Sequence, residues 1–168
     1  SSVKDAVELS KNLGNPYWEI PITDIHNSYE HTLQPYFKDL PIGLAEENIQ
    51  ARSRAVLLMA LSNKHGNILL NTSNKSEMAV GYSTLYGDLC GSISVIGDIY
   101  KTQVYALCEY INASEEIISN NILTKEPSAE LRPNQKDSDS LPDYAILDGI
   151  LRLYIEERKG LQEIILEG

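Results

Sequence analysis

An open α/β fold, with a parallel sheet and helices on both faces, is what this sequence predicts, on three observations. Ile68 to Thr72 is a short, largely apolar run of the kind that forms a buried parallel strand. Strongly patterned helical segments stand on either side of it, from about Glu46 to Lys64 and from about Ile99 to Ile111. The predicted elements begin helix, strand, helix, helix, strand, helix, an alternation that favours a parallel sheet covered by helices.

Taken in order, Val3 to Leu13 places Val3, Val7 and Leu9 to Leu13 at helical intervals, and Gly14-Asn15-Pro16 stops that helix. Tyr17 to Ile22 alternates large apolar with polar residues and reads as a strand, with Asp24 as the N-cap of the next helix. Asn27 to Leu40 is a helix broken by Pro35 and finished by Pro41. The long helix from Glu46 to Lys64 ends at His65-Gly66-Asn67, where glycine offers a left-handed cap. After Gly97, Asp98 caps the helix Ile99 to Ile111, and Ile146 to Glu157 forms a last strong one. Between these two, residues 126 to 140 are polar with almost no apolar anchor. Such long loops are functional lids or disordered segments, and the sequence leaves both open.

The chain has 168 residues, enough for one domain with a real core. Its apolar and charged contents, 42% and 23%, are those of a globular protein. A formal net charge of −10 supplies no attraction for a phosphate backbone or an anionic membrane, so no nucleic-acid partner is expected. No apolar run approaches the ~20 residues that span a bilayer, and the first residues contain no signal-peptide core. Cys90 and Cys108 lie apart, outside any CxxC pair, which suits a reducing, cytoplasmic setting.

Three constellations have chemical potential. The first is Thr72-Ser73-Asn74-Lys75-Ser76-Glu77, a strand end feeding a helix start. Open α/β sheets bind ligands at such places, where free N–H groups attract phosphate, Thr72 offers a hydroxyl and Glu77 a carboxylate. Asn74-x-x-Glu77 is equally a capping box that only starts the helix. In the second, Asn48 and Arg52 share a helix face, and Arg52 falls on the apolar stripe of Ile49, Val56 and Met59. An arginine so placed needs a partner, either a ligand anion or a neighbouring acid. The third is Lys101, at the third position of the helix capped by Asp98, where the helix dipole disfavours a cation. A nucleotide phosphate would account for it, and so would simple solvation. His26, His31 and His65 have no metal-ligand spacing, and the two cysteines have no histidine arranged beside them.

The blocks Glu47-Asn48-Ile49-Gln50-Ala51-Arg52-Ser53-Arg54 and Leu69 to Asp88 closely resemble NAD synthetases. So do Gly97-Asp98-Ile99-Tyr100-Lys101-Thr102, Pro127-Ser128-Ala129-Glu130-Leu131-Arg132-Pro133 and Ser140-Leu141-Pro142. Several ordered blocks with matching separations are far more specific than one short motif. The resemblance implies an adenine-nucleotide hydrolase-like sheet and the chemistry of an ATP pyrophosphatase. In that chemistry the nicotinate carboxylate of deamido-NAD is adenylated, pyrophosphate leaves, and ammonia displaces AMP. Mg²⁺ assists by neutralising phosphate charge. The Asn71 to Asp88 block resembles the glutamine-dependent branch, whose ammonia comes from a separate glutaminase domain.

Carried across residue by residue, the resemblance implies ATP contacts from Thr72, Lys101 and Ser128, the last in place of a threonine of the ammonia-dependent branch. It implies deamido-NAD contacts from Asn48, Arg52 and Glu77, with Glu77 also a ligand for Mg²⁺ in some branches. Leu85 and Ser92 stand where the ammonia-dependent branch has a lysine and an aspartate, which again favours the glutamine-dependent type. The helices equivalent to Asn27 to Lys64 form a homodimer interface in the family. No Ser-Gly-Gly-x-Asp-Ser phosphate loop occurs in these residues. The resemblance implies that it lies upstream of Ser1 and that a basic tail follows Gly168. Residues 1–168 are thus expected to be a partial synthetase domain, inactive by itself. Two other readings stand beside this one: another ATP pyrophosphatase such as GMP synthetase, and a non-catalytic dimerisation or binding module.

Overall fold

Periodic apolar residues and glycine stops build most of the helices where the sequence puts them. The computed structural model describes residues 2–167. In chain order the helices are α1 (Ser2–Leu13), α2 (Thr23–Phe37), α3 (Leu44–His65), α4 (Lys75–Val80), α5 (Lys101–Ile111), α6 (Asn120–Thr124), α7 (Tyr144–Leu151) and α8 (Leu161–Glu167). A 3₁₀ turn spans Asp137–Asp139, and a π turn, Arg152–Glu156, continues α7. Helix α3 closes as expected: Gly66 takes φ 69° and its N–H returns to the carbonyl of Ser62.

The sheet is parallel, β1 (Leu70–Asn71) beside β2 (Ile93–Ser94), with Leu70 opposite Ile93 and Asn71 opposite Ser94. Parallel strands need a crossover, and here it carries α4. Gly91 lies where the returning chain meets β1: its φ is +144°, and a Cβ there would stand 2.6 Å from the backbone nitrogen of Asn71. The core proper is small. Tyr100, Leu147 and Leu151 pack together, with Leu141 and Tyr144 against them, and Ala51 and Ala55 are buried on α3.

Four local expectations are corrected. Tyr17 to Ile22 forms no strand; Pro16 and Pro21 remove ladder donors at its ends, and Trp18 instead lies against His65, ring centroids 5.2 Å apart. Helix α2 begins at Thr23, so Asp24 sits in its first turn rather than capping it, and Pro35 lies near enough the end that the helix runs through it to Phe37. Asp98 does not cap α5. Gln103 accepts from the Tyr100 N–H at 2.9 Å, Tyr100 occupies the cap position, and Lys101 becomes the first helical residue. The β1 strand is only half buried, since Leu70 is 50% exposed while Asn71 is enclosed.

Candidate functional site

The C-terminal end of β1 leads through Thr72 and Ser73 into α4, and this junction organises the site. Asn71, enclosed at the strand end, holds it together. Its Oδ1 accepts from the Ser73 N–H at 3.0 Å and from Ser94 Oγ at 3.1 Å, while its Nδ2 donates to the Asp88 carbonyl at 2.9 Å. Thr72 is exposed beside this hub. The capping box at Asn74 is real: Asn74 Oδ1 accepts from the Glu77 N–H at 3.0 Å and Glu77 Oε2 accepts from the Asn74 N–H at 3.2 Å.

The other oxygen of Glu77 has a second task. Lys101 Nζ donates to Glu77 Oε1 at 3.2 Å, and each side chain is 20% exposed. Lys101 also lies over the Tyr144 ring, 5.3 Å from its centroid. Carboxylate and ring together offset the unfavourable start of α5 for a cation. A parallel arrangement stands beside it. Lys75, the first residue of α4, pairs with Asp98 at 2.7 Å and with Glu156, and its ammonium lies 5.0 Å from the Tyr100 ring centroid. Hydrogen bonds that it donates to Asp98 and then to Glu156 hold its ammonium well above the ordinary lysine range. Lys75 is thus neutralised by two carboxylates, whereas Lys101 shares a single one.

Sequence reasoning missed the group beneath these lysines. Asp148 of α7, only 6% exposed, accepts from Ser76 Oγ at 2.5 Å and from Thr102 N and Oγ1 at 2.8 Å each. Fully buried Ser76 accepts in turn from the Lys101 N–H at 2.8 Å. The signal was a carboxylate inside the apolar run Ile146-Leu147-Asp148-Gly149-Ile150-Leu151, which demands a buried partner. A second buried acid, Asp137, accepts from Tyr144 Oη at 2.8 Å and donates its N–H to the Pro127 carbonyl. Burial, then this hydrogen bond, raises the Tyr144 phenol; burial, then the charge of Asp137, pushes Tyr82 up to about 12.

Asn48 and Arg52 meet on one turn. Thr84 Oγ1 donates to Asn48 Oδ1 at 2.7 Å, and Arg52 Nε donates to the Leu85 carbonyl at 3.2 Å. Arg52 is exposed and forms no ion pair among the described residues. Ser128 stands apart. Its Oγ accepts from the Glu130 N–H at 3.1 Å, inside a cavity of about 390 Å³ that Lys125, Glu130, Arg132 and Lys136 help to line. The 126 to 140 segment is tied to α3 by Gln50 Nε2 donating to the Leu131 carbonyl at 3.0 Å.

Among the described residues, no cluster of three or more His, Cys, Asp or Glu side chains could hold a metal by itself. Glu77 is a single carboxylate with both oxygens engaged, yet a carboxylate offers about four lone-pair sites. Mg²⁺ commonly takes one or two carboxylates together with substrate phosphates and water. Glu77 therefore fits such an ion as one ligand among several.

Comparison with known proteins places these features in a group. The sequence model of the NAD synthase family matches residues 1–168. The chain is 53% identical over 167 residues to a glutamine-dependent NAD(+) synthetase from Synechocystis, covering 99% of this chain and 30% of that protein. The solved glutamine-dependent NAD⁺ synthetase from Acinetobacter baumannii, in complex with ADP, is similar with a TM-score of 0.72 and 43% identity, over 99% of this chain and 30% of the other. An NMN synthetase from Francisella tularensis gives a TM-score of 0.80 at 28% identity, over 98% of this chain and 64% of the other. This chain spans about 30% of the length of the glutamine-dependent relatives.

Proposed function

The chain belongs to the NAD synthase family, and from that premise we propose that the intact protein converts deamido-NAD to NAD by ATP-dependent amidation. Adenylation of the nicotinate carboxylate releases pyrophosphate, and ammonia drawn from glutamine by a glutaminase domain then displaces AMP. The observation that carries this reading is the meeting of Lys101 and Glu77 beyond the C-terminal end of a parallel strand, where open α/β sheets bind ligands.

Within it, the Lys101 ammonium binds phosphate oxygens of ATP, and the Thr72 and Ser128 hydroxyls supply further ATP contacts. Arg52 is suited to an anionic group of deamido-NAD because it is exposed and forms no ion pair among the described residues. Asn48 fixes the neighbouring turn through Thr84, and Glu77 serves deamido-NAD or the metal. Bound Mg²⁺ would neutralise charge on the phosphates. A Ser-Gly-Gly-x-Asp-Ser loop, absent from residues 1–168, is proposed to come from the rest of the intact protein. Residues 1–168 alone are accordingly a partial, inactive domain.

We extend the proposal to a homodimer through α2 and α3, whose outer side chains include exposed Tyr36, Leu44 and Val56. Free Cys90 and Cys108 suit a cytoplasmic setting. The test is product analysis with the intact protein, ATP, deamido-NAD and glutamine. NAD formed with one AMP and one pyrophosphate is the expected result; ADP and phosphate, or no NAD, would overturn it.

A further inference from the structure

We propose that Asp148 is a positioning residue that sets the spacing of Lys101 and Glu77, and through them the grip of the site on the nucleotide's phosphates. The inference rests on the proposed nucleotide site and names a device within it. Its basis is that one buried carboxylate anchors residues of two helices at once. Asp148 takes the Ser76 hydroxyl with one oxygen and both Thr102 donors with the other. Ser76 precedes Glu77 and Thr102 comes directly after Lys101, so the anchored groups are the chain neighbours of the two side chains that meet at 3.2 Å. Ser76 adds a direct tie, accepting the Lys101 N–H at 2.8 Å.

The placement is electrostatically sound. The first turn of α5 has N–H groups without helical partners, and an anion there is favoured by the helix dipole. Burial keeps the bonds short and directional, and α7 is held against α5 by Leu147 and Leu151 packing on Tyr100. Among the described residues Asp148 forms no ion pair with Lys101; its contacts are with Ser76 and Thr102, at the starts of α4 and α5. A misplacement of about 1 Å at a reacting group costs up to roughly 100-fold in rate or binding, and a loosened first turn of α5 is enough to produce one.

A purely structural role would lower stability without altering kinetics, and the experiment separates the two. In the intact synthetase, Asp148→Asn, Thr102→Val, Lys101→Ala and Gly66→Ala are compared by steady-state kinetics and thermal unfolding. Gly66→Ala strains the α3 cap and is the destabilised control. Asp148→Asn is expected to raise KM for ATP about tenfold, whereas Gly66→Ala leaves it within about twofold of wild type. Thr102→Val, which keeps the backbone donor, should show the same pattern with a smaller rise, and it stands in if Asp148→Asn does not fold. An ATP KM within about twofold of wild type in a folded Asp148→Asn protein whose thermal midpoint has fallen overturns the positioning role. An unchanged ATP KM in Lys101→Ala overturns the site reading itself, so the two failures are distinguishable.

Discussion

The junction of α4, α5 and α7 and the pair α2–α3 solve opposite problems. In the junction nearly every polar group has a partner inside the chain: Asp148 with three donors, Asn71 with three contacts, Glu77 with a cap and a lysine. On α2–α3 several large apolar side chains are exposed. Tyr36 is 78% exposed, Leu44 73% and Val56 62%. Polar satisfaction in the junction is nearly complete within the chain, whereas the apolar matching of α2–α3 is left to another surface, which the proposed homodimer would supply. Substitutions should therefore act on single-chain stability at the junction and on association at α2–α3.

The largest effect tests the junction directly. Asp148→Ala leaves three donors, among them the fully buried Ser76 hydroxyl, without their acceptor and should lower the stability of the intact protein by about 3 kcal/mol in chemical denaturation. A loss below about 1 kcal/mol would show that the network is dispensable. Next, Gly91→Ala forces a Cβ to within 2.6 Å of the Asn71 nitrogen at a φ of +144°. It should cost about 2 kcal/mol and loosen the β1–β2 pair, seen as faster amide exchange at Ser92. Asn74→Ala removes the acceptor for the Glu77 N–H, and a loss of about 1 kcal/mol is expected from the same denaturation series.

A smaller effect is a pH dependence. Below pH 10 the Tyr82 phenol is neutral both folded and unfolded; above it the unfolded state ionises first, because the folded group titrates only at about 12. The unfolded state then binds fewer protons, so stability falls as pH rises between about 10 and 12. Tyr82→Phe should flatten that part of the curve. Smallest of all, Val56→Ser should alter single-subunit stability by less than about 0.5 kcal/mol, while sedimentation shows a shift toward monomer. A large loss of subunit stability with unchanged mass would erase the contrast between the two regions.

Legibility in the sequence divides along the same line. Helix α3 was legible to within about two residues because its stripe is long and its glycine stop is unambiguous. The parallel pairing of Ile68 to Thr72 was legible from β-branched and apolar content, though its partner Ile93–Ser94 was not, being two residues inside a glycine- and serine-rich stretch. Alternation misled at Tyr17 to Ile22, where flanking prolines and the pull of His65 on Trp18 outweigh the pattern. Asp98 looked like a cap because local spacing cannot show that Lys75, 23 residues away, takes its carboxylate.

At the site, residue types gave Glu77 and Lys101 but not their contact, which spans 24 residues, and not Asp148, whose donors lie 46 and 72 residues away. Of the two readings of Asn74-x-x-Glu77 the capping box is present, and it uses one oxygen of Glu77 while the other meets Lys101.

The most direct measurement is a calorimetric titration of ATP with Mg²⁺ into the intact protein and into its Lys101→Ala variant. Loss of one charge-assisted phosphate contact should weaken binding by roughly tenfold or more, with the unfolding transition unchanged. Equal affinity for the two proteins would contradict the assignment of this junction as the nucleotide site.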